Sequence, residues 1–277
     1  MVATGMCLDM SVELKEGLRR RCREMGIKIM GVAGVGRWDR PPFEPWVPEE
    51  FRPKAILPEA RSVVVIGLPV TLTVLETSPS IHYYQLYKTV NELLDQATYQ
   101  VSNLLNDEGY ASMFIPRDGY GHIQLLKENP LAFFSHRHAA FLAGLGTFGV
   151  NNMVLTREYG PRVRFGSVFT SAELPEDPLL EEDLCTRCMR CVDICPVRAL
   201  KEGDYPKEMT DKKACAVRSA DLAARFASPC GFCIKVCPVG EDRKLFRRQD
   251  MDIYDEGSED HMALHEAWRH VRSYGSK

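Results

Sequence analysis

Two cysteine-rich segments in the last third of the chain constrain its fold and chemistry more than any other feature. The first has the form Cys185-x2-Cys188-x2-Cys191-x3-Cys195-Pro196, and the second has the form Cys230-x2-Cys233-x3-Cys237-Pro238. In bacterial ferredoxins, three cysteines at the first spacing bind one 4Fe-4S cluster and the fourth binds its neighbour. The second segment is one cysteine short, and Cys215 lies upstream to complete the set.

The spacing therefore predicts two 4Fe-4S clusters with crossed ligands. The first would be held by Cys185, Cys188, Cys191 and Cys237, and the second by Cys195, Cys215, Cys230 and Cys233. Zinc is the alternative, but zinc sites usually draw their ligands from separated cysteine pairs, unlike three cysteines at x2-x2 spacing. Because such clusters transfer single electrons, the residues upstream are expected to hold the electron acceptor.

The overall composition is that of a globular protein without a strong charge. The 277 residues are 45% hydrophobic and carry a formal net charge of -3, so no broad basic field favours tight binding of nucleic acid. No apolar run approaches the roughly 18 residues that a membrane span needs. Ten cysteines without a secretory signal indicate metal or redox chemistry in a reducing compartment, and we expect the cytoplasm.

Hydrophobic periodicity predicts an α+β fold in three parts. Helices are expected at residues 11–25, 83–108, 131–143 and 259–273, and strands at residues 27–34, 62–68, 110–115, 150–156 and 163–171. A stretch rich in acids and prolines, residues 173–183, separates the α/β part from the cysteines. We predict one domain over residues 1–182, a second over 183–245, and a tail with a helix over 246–277.

Residues 144–149 form a glycine-rich corner with the pattern G-x-G-x-x-G. In dinucleotide-binding sites this pattern follows a strand and opens a helix. Here it ends a predicted helix and opens a predicted strand. We therefore do not expect a nicotinamide cofactor at this corner.

A family resemblance extends across this corner. Residues 143–152 (AGLGTFGVNN), with VLT at 154–156, YGPR at 159–162 and FGSVFT at 165–170, resemble epoxyqueuosine reductases and the related corrinoid reductive dehalogenases. The split cysteine pattern is similar too. The resemblance implies a nitroreductase-like α/β corrinoid-binding domain followed by a ferredoxin-like domain with two clusters. It also implies a cobalamin bound base-off between the corner and the cysteine module, reduced by the nearer cluster.

The resemblance makes four residues of the corner candidates for binding that cobalamin: Gly144, Gly146, Gly149 and Asn151. Backbone without side chains can approach a flat corrin ring closely, which is a physical reason for the glycines. A tight helix-to-strand corner would require the same glycines. Both interpretations stay open at this point.

The chain departs from the epoxyqueuosine reductases at the proton donor. Their acidic residue before the glycine-rich stretch is replaced here by Asn129-Pro130-Leu131. Two groups could donate a proton instead: Asp118, Tyr120 and His122, or His136, Arg137 and His138. We favour Tyr120 over His136, since a phenol near Arg117 can release a proton without leaving an unbalanced buried charge.

These features predict an enzyme, a cobalamin-dependent iron-sulfur reductase that acts on a small molecule. A low-potential donor such as ferredoxin or flavodoxin would supply the electrons. The first alternative is an electron-transfer protein that docks a partner enzyme without cobalamin. The second is reduction of epoxyqueuosine in tRNA, which we favour less because the chain is slightly acidic and only about 40 residues follow Cys237 to form a tRNA-binding repeat domain.

Overall fold

The computed structural model describes residues 2–39, 47–117 and 123–274, with side chains from residue 10 onward. The helices are numbered in chain order: α1 (Val2–Glu24), α2 (Pro53–Ile56), α3 (Leu72–Leu75), α4 (Ile81–Asp107), α5 (Leu125–Glu128), α6 (His136–Leu142), α7 (Arg190–Asp193), α8 (Lys212–Ala223), α9 (Phe232–Lys235), α10 (Asp242–Leu245) and α11 (Met262–Ser273). The strands are β1 (Ile29–Gly34), β2 (Ser62–Pro69), β3 (Ser112–Ile115), β4 (Thr147–Phe148), β5 (Val154–Leu155) and β6 (Val163–Thr170). Short 3-10 helices cover Val35–Trp38, Glu49–Phe51 and Met251–Tyr254.

Four strands form an antiparallel sheet in the order β1-β2-β6-β3, and β4 and β5 form a separate hairpin. The register places Val64 of β2 opposite Val32 of β1 and Val168 of β6, in one row across the sheet. The next row includes Val63 and Phe169, which point to the other face. Since side chains alternate between faces along a strand, both faces are apolar and both need cover.

Helices α1 and α4 cover the face that carries the first of these rows. Leu18 and Cys22 of α1 and Leu94 of α4 are at most 4% exposed there. Ser80 caps α4, because its hydroxyl accepts a hydrogen bond from the backbone N–H of Tyr83. The long helix and the sheet thus form one layered core.

Helix α6 covers the opposite face. Ala139 and Leu142 of this helix are buried there, together with Trp38 and Phe134, whose ring centroids lie 6.2 Å apart. The predicted α+β class is confirmed by this arrangement of helices on a sheet. Among the described residues, no helix combines the length and the apolar character needed to cross a membrane.

Two predicted helix starts are wrong. The helix expected from residue 11 already begins at Val2, so the serine expected to cap it lies inside the helix. The helix expected from residue 131 begins only at His136, because Ser135 caps it by accepting a hydrogen bond from the backbone N–H of His138.

The strand predicted over residues 150–156 is also wrong, since only Val154–Leu155 is extended. The residues before it form a turn, in which the N–H of Asn152 donates to the carbonyl of Gly149 at 2.8 Å. Asn152 has a φ of 57°, in the left-handed region that asparagine tolerates better than most residues. The turn closes the β4-β5 hairpin.

The acid- and proline-rich stretch is fastened to the sheet rather than free. Asp177 accepts hydrogen bonds from Lys15 at 2.9 Å, from Arg19 at 2.5 Å and from the N–H of Val32 at 2.8 Å. Burial alone would raise the pKa of Asp177, but these donors outweigh burial and lower it. The stretch that leads into the cysteine segments is therefore held in place on the sheet and on α1. The domain boundaries near residues 182 and 245 stay a prediction.

A buried ion pair joins the sheet to the segment that follows the last cysteine. Arg162, directly before β6, is 0% exposed and donates to the two carboxylate oxygens of Asp242 at 2.9 and 2.5 Å. It also donates to the carbonyl oxygens of Cys237 and Val239, at 3.3 and 2.8 Å. These acceptors compensate a guanidinium that has lost its water.

A second buried network holds the tail. Glu76, which is 1% exposed, accepts hydrogen bonds from the Tyr254 hydroxyl at 2.9 Å and from Arg248 at 2.8 Å. Arg243 donates to the same hydroxyl at 2.8 Å and to the carbonyl of Cys237 at 2.7 Å. Cys237 is therefore fixed from the side of the sheet and from the side of the tail.

We predict that Asp242→Asn lowers the free energy of unfolding by about 3–5 kcal/mol, because it leaves the buried Arg162 charge without its partner. The measurement is anaerobic denaturant unfolding followed by circular dichroism. The control is Glu182→Gln, which breaks an exposed ion pair with Arg157 and should cost less than about 1 kcal/mol. Equal losses in the two variants would contradict the structural role of the buried pair.

Candidate functional site

The first cysteine group contains Cys185, Cys188, Cys191 and Cys237. The loop between the first three reverses direction at Arg187 and Met189, which have φ values of 51° and 57°. Burial raises the pKa of the Cys191 thiol to about 12, and repulsion from the other three thiols adds to the effect. The group lines a cleft of about 330 Å³ together with residues 149–151 and Leu155.

The second group contains Cys195, Cys215, Cys230 and Cys233. Cys215 lies in the first turn of α8, which Asp211 caps by accepting a hydrogen bond from the N–H of Ala214 at 3.0 Å. Burial raises the pKa of Cys233, and the other three thiols and Cys191 of the first group raise it further. The two groups are therefore close enough for their charges to interact.

The donor chemistry of both groups fits a 4Fe-4S cluster. Four thiolates repel one another, so they need a positively charged core to stay deprotonated together. Among the described residues, no three His, Cys, Asp or Glu side chains converge closely enough to hold a metal ion. The grouping matches the crossed pattern, while ligation by each cysteine stays a prediction.

The turn at residues 149–152 lies between the two groups. Asn151 lines the cleft of the first group, and its side-chain amide donates to the carbonyl of Cys233 in the second at 3.5 Å. The Asn152 side-chain oxygen accepts from the N–H and the hydroxyl of Thr210, at 2.6 and 2.9 Å. Its backbone carbonyl accepts from Arg137 at 2.6 Å. This turn therefore fixes the module that carries the cysteines against the sheet.

Gly144 and Gly146 are required by the chain's own packing. Gly144 has a φ of 71° and ends α6, with its N–H bonded to the Phe141 carbonyl. A Cβ there would lie 2.0 Å from the carbonyl oxygen of Pro178, and a Cβ at Gly146 would lie 2.0 Å from that of Leu155. The close approach is to backbone and not to a cofactor. The geometry supports the tight-corner interpretation at Gly144 and Gly146, and cobalamin binding by Gly144, Gly146, Gly149 and Asn151 stays a prediction.

The first group of candidate proton donors, Asp118, Tyr120 and His122, lies outside the described residues. Its neighbour Arg117 forms an ion pair with Asp95. His136 lies beside the start of that segment, with Nε2 3.1 Å from the carbonyl of Pro116 and Nδ1 2.9 Å from the Ser167 hydroxyl. Since only a donor can pair with a carbonyl, Nε2 carries a proton, and the Ser167 hydroxyl can either donate to Nδ1 or accept from it. Both nitrogens of His136 are thus already engaged, which does not support its role as the donor.

His138 and Tyr205 form a polar contact that sequence reasoning missed. The Tyr205 hydroxyl lies 2.9 Å from Nε2 of His138, and the Ser135 hydroxyl lies 2.5 Å from Nδ1. Burial, and then repulsion from Arg137 and Lys212, lowers the pKa of His138 to about 3. The ring is therefore neutral throughout the physiological range.

Tyr205 also stacks on Phe148 of β4, with ring centroids 4.3 Å apart. This contact joins the hairpin to the segment between the cysteine motifs. No spacing pattern in the sequence connects Phe148 with Tyr205. Only the fact that both are aromatic could have suggested that they stack.

Comparison with known families identifies the cysteine module. Residues 178–201 match the family of 4Fe-4S binding domains. This match covers the first cysteine segment and confirms that the chain carries a 4Fe-4S binding sequence.

Two relatives extend the comparison upstream. The chain is 26% identical over 229 residues to the tetrachloroethene reductive dehalogenase of Dehalobacter restrictus, which covers 76% of this chain and 38% of that protein. It is 24% identical over 282 residues to an epoxyqueuosine reductase of Synechococcus sp., which covers 90% of this chain and 83% of that one. The chain thus spans well under half the length of the dehalogenase.

Solved structures of both kinds of enzyme share the fold. An epoxyqueuosine reductase solved with a tRNA-Tyr stem loop superposes with a TM-score of 0.57 at 19% identity, over 95% of this chain and 77% of that one. A reductive dehalogenase described for B12-dependent dehalogenation superposes with a TM-score of 0.54 at 17% identity, over 90% and 33%. At these identities the structures show the fold alone. With the sequence relatives, they confirm the predicted superfamily resemblance.

We predict that His138 makes the folded chain less stable in acid. Between about pH 7.5 and 5.5 an unfolded histidine with a pKa of 6.5 takes up a proton, whereas the folded side chain, with a pKa of about 3, does not. Stability should therefore fall as the pH drops below about 6.5, by about 1.4 kcal/mol over this interval.

The test is anaerobic denaturant unfolding of His138→Gln at both pH values. This variant should lack that part of the pH dependence, whatever its stability at pH 7.5. The exposed His82 supplies the control, and His82→Gln should keep the wild-type pH dependence. A wild-type slope in His138→Gln would show that His138 is protonated in the folded chain.

Proposed function

We propose that this chain, a relative of the epoxyqueuosine reductases and the reductive dehalogenases, is an iron-sulfur reductase that passes single electrons through two 4Fe-4S clusters. The observation that carries the proposal is the arrangement of eight cysteines in two groups of four whose charges interact. The match of residues 178–201 to 4Fe-4S binding domains supports it. The predicted cytoplasmic location is part of the same proposal.

We assign the first cluster to the group at the cleft and the second to the group at α8. When bound, each cluster supplies one-electron storage. The chain's own residues hold the thiolates apart at fixed positions and limit access of water to Cys233 and Cys237. The charge interaction between Cys191 and Cys233 indicates that the two groups are neighbours, and this proximity suits electron transfer between them.

A cobalamin is our proposed acceptor of these electrons. Support comes from the reductive dehalogenase of the same fold that is described for B12-dependent dehalogenation. The packing of Gly144 and Gly146 on the chain's own backbone does not offer a corrin cradle at those two positions. We therefore derive no reaction step through cobalamin, and the proton-donor roles of Tyr120 and Asp118 remain proposals.

Two substrate classes fit the relatives equally well. The relatives include a tetrachloroethene reductive dehalogenase, which acts on a small molecule, and the solved epoxyqueuosine reductase is bound to a tRNA stem loop. Our preference for a small molecule depends on the formal net charge of -3, which offers no broad field for RNA. The alternative without cobalamin is favoured by the close packing of the glycine-rich corner.

We predict that the anaerobic protein contains about eight iron and about eight acid-labile sulfide per chain, and that Cys215→Ser lowers both to about four. The reason is that Cys215 belongs only to the second group. Metal and sulfide analysis, with electron paramagnetic resonance of the reduced protein, provides the measurement.

Cys22→Ala is the matched control for this loss. Cys22 is buried between α1 and the sheet, away from both groups, so the variant should keep its full iron content. Unchanged iron in Cys215→Ser would show that another residue is the eighth ligand. Zinc in the wild type in place of iron would refute the proposed function itself.

We also predict that the reconstituted protein retains a stoichiometric amount of cobalamin through gel filtration, and that it binds tRNA weakly. Its affinity for tRNA should fall at least tenfold between about 50 and 200 mM salt, as for contacts made mainly with phosphates. Absorbance spectra and a mobility-shift titration measure the two. Full clusters without cobalamin would favour the electron-transfer alternative. Tight tRNA binding with conversion of epoxyqueuosine would favour the tRNA substrate.

A further inference from the structure

Arg137 places a positive charge beside the second cysteine group. It lies in the first turn of α6, and its guanidinium donates to the carbonyl of Asn152 at 2.6 Å and lies 3.9 Å from the Met153 sulfur. Its charge interacts with the thiols of Cys215 and Cys233. Burial lowers the pKa of Arg137, but a guanidinium remains charged under all relevant conditions.

Two buried cations of the chain have a carboxylate beside them, whereas the buried Arg243 donates to carbonyl oxygens and to the Tyr254 hydroxyl. Arg162 pairs with Asp242 at 2.5 Å, and Lys235 lies 3.7 Å from Glu256. Among the described residues, no carboxylate pairs with Arg137, whose contacts are a carbonyl, a sulfur and a tyrosine. Arg137 is thus a half-buried cation without a carboxylate partner among the described residues, and its charge interacts with Tyr205 and with two thiols of the second group.

We propose that Arg137 is the counter-charge of the second cluster and raises its reduction potential. This inference rests on the proposed function, since it requires a cluster at Cys195, Cys215, Cys230 and Cys233. Arg137 is a positioning residue in this sense: it contacts neither substrate nor the reacting atoms. Its effect is to stabilise the added electron on the second cluster.

The electrostatics determine the direction of the effect. A cluster held by four thiolates is an anion, and uptake of one electron from the donor makes it more negative by one unit without forming or breaking a bond. A fixed positive charge in a partly dry site stabilises the more negative form more strongly. Lys212, whose charge interacts with that of Arg137, adds to the same field from the start of α8.

The first group has other cations beside it. Arg162 and Arg243 both donate to the carbonyl of Cys237, and Arg187 lies between Cys185 and Cys188. Arg187 is exposed and pairs with two carboxylates, Asp183 at 2.6 Å and Asp204 at 2.9 Å. Solvent and these two acids screen its charge. Arg162 and Arg243 therefore act on the first group, and the charge of Arg137 acts on the second.

The test is a dithionite titration of the anaerobic full chain, with both clusters followed by electron paramagnetic resonance. In Arg137→Gln we expect the ratio of oxidised to reduced second cluster at a fixed potential to rise about tenfold, which is a potential about 59 mV lower for one electron. The first cluster should change less. Arg137→Lys keeps the charge and should stay close to the wild type, and Arg21→Gln, which removes an exposed charge on α1, is the control that should leave both potentials unchanged.

Each outcome is decisive. Wild-type potentials in an Arg137→Gln variant with full iron content would overturn the proposal. Loss of the second cluster in Arg137→Gln, with a wild-type potential in Arg137→Lys, would support the need for the charge. Loss of the cluster in both variants would show that Arg137 acts only through its hydrogen bond to Asn152, which would also overturn it. A wild type with fewer than two clusters would refute the proposed function before any variant is compared.

Discussion

The buried Arg162 guanidinium is the constraint on which the rest of the arrangement depends. A charge with 0% exposure can stay in the core only if acceptors surround it, and here the acceptors all come from the segment that follows the last cysteine motif. The sheet therefore determines where Cys237 lies. Arg243 holds the same carbonyl from the other side and connects it, through Tyr254, to Glu76 in the first half of the chain. The α/β part and the cysteine module look separate in the sequence. They are thus joined by buried charged side chains whose hydrogen-bond partners lie in the other part.

The glycine-rich corner has a related role. Residues 149–151 line the cleft of the first cysteine group, and Asn151 also reaches the backbone of Cys233 in the second. The residues that resemble the reductases include this corner. Its small residues are accounted for by the approach of the hairpin and of the Pro178 backbone. We infer that the sequence of this corner is shared because it supports the iron-sulfur module on the sheet. That structural role would be the same in relatives with different substrates.

The sequence predicted the features that depend on local pattern. The β2 strand is a run of buried β-branched residues, and the first cysteine segment lies in the stretch that matches 4Fe-4S binding domains, while the crossed ligand assignment stays a prediction. Prediction failed where a single side chain overrides periodicity: Ser135 delays α6, and Asn152 turns the chain where a strand was expected. The contact of His138 with Tyr205 joins residues 67 positions apart, and no local pattern encodes such a pair. The proposed donor Tyr120 lies outside the described residues, so its role stays a prediction from the sequence.

The crossing of the two cysteine groups has a consequence for biosynthesis. Under the proposed assignment, the first group begins at Cys185 but needs Cys237, and the second begins at Cys195 but needs Cys233. Neither ligand set is complete until almost the whole module has left the ribosome. Partial sets would be exposed thiolates able to capture stray metal ions, such as zinc. Cluster delivery must therefore follow synthesis of the module. Because Arg162 pairs with Asp242, which lies beyond the last cysteine, the buried ion pair that joins the sheet to the module also forms only after all eight cysteines have been made.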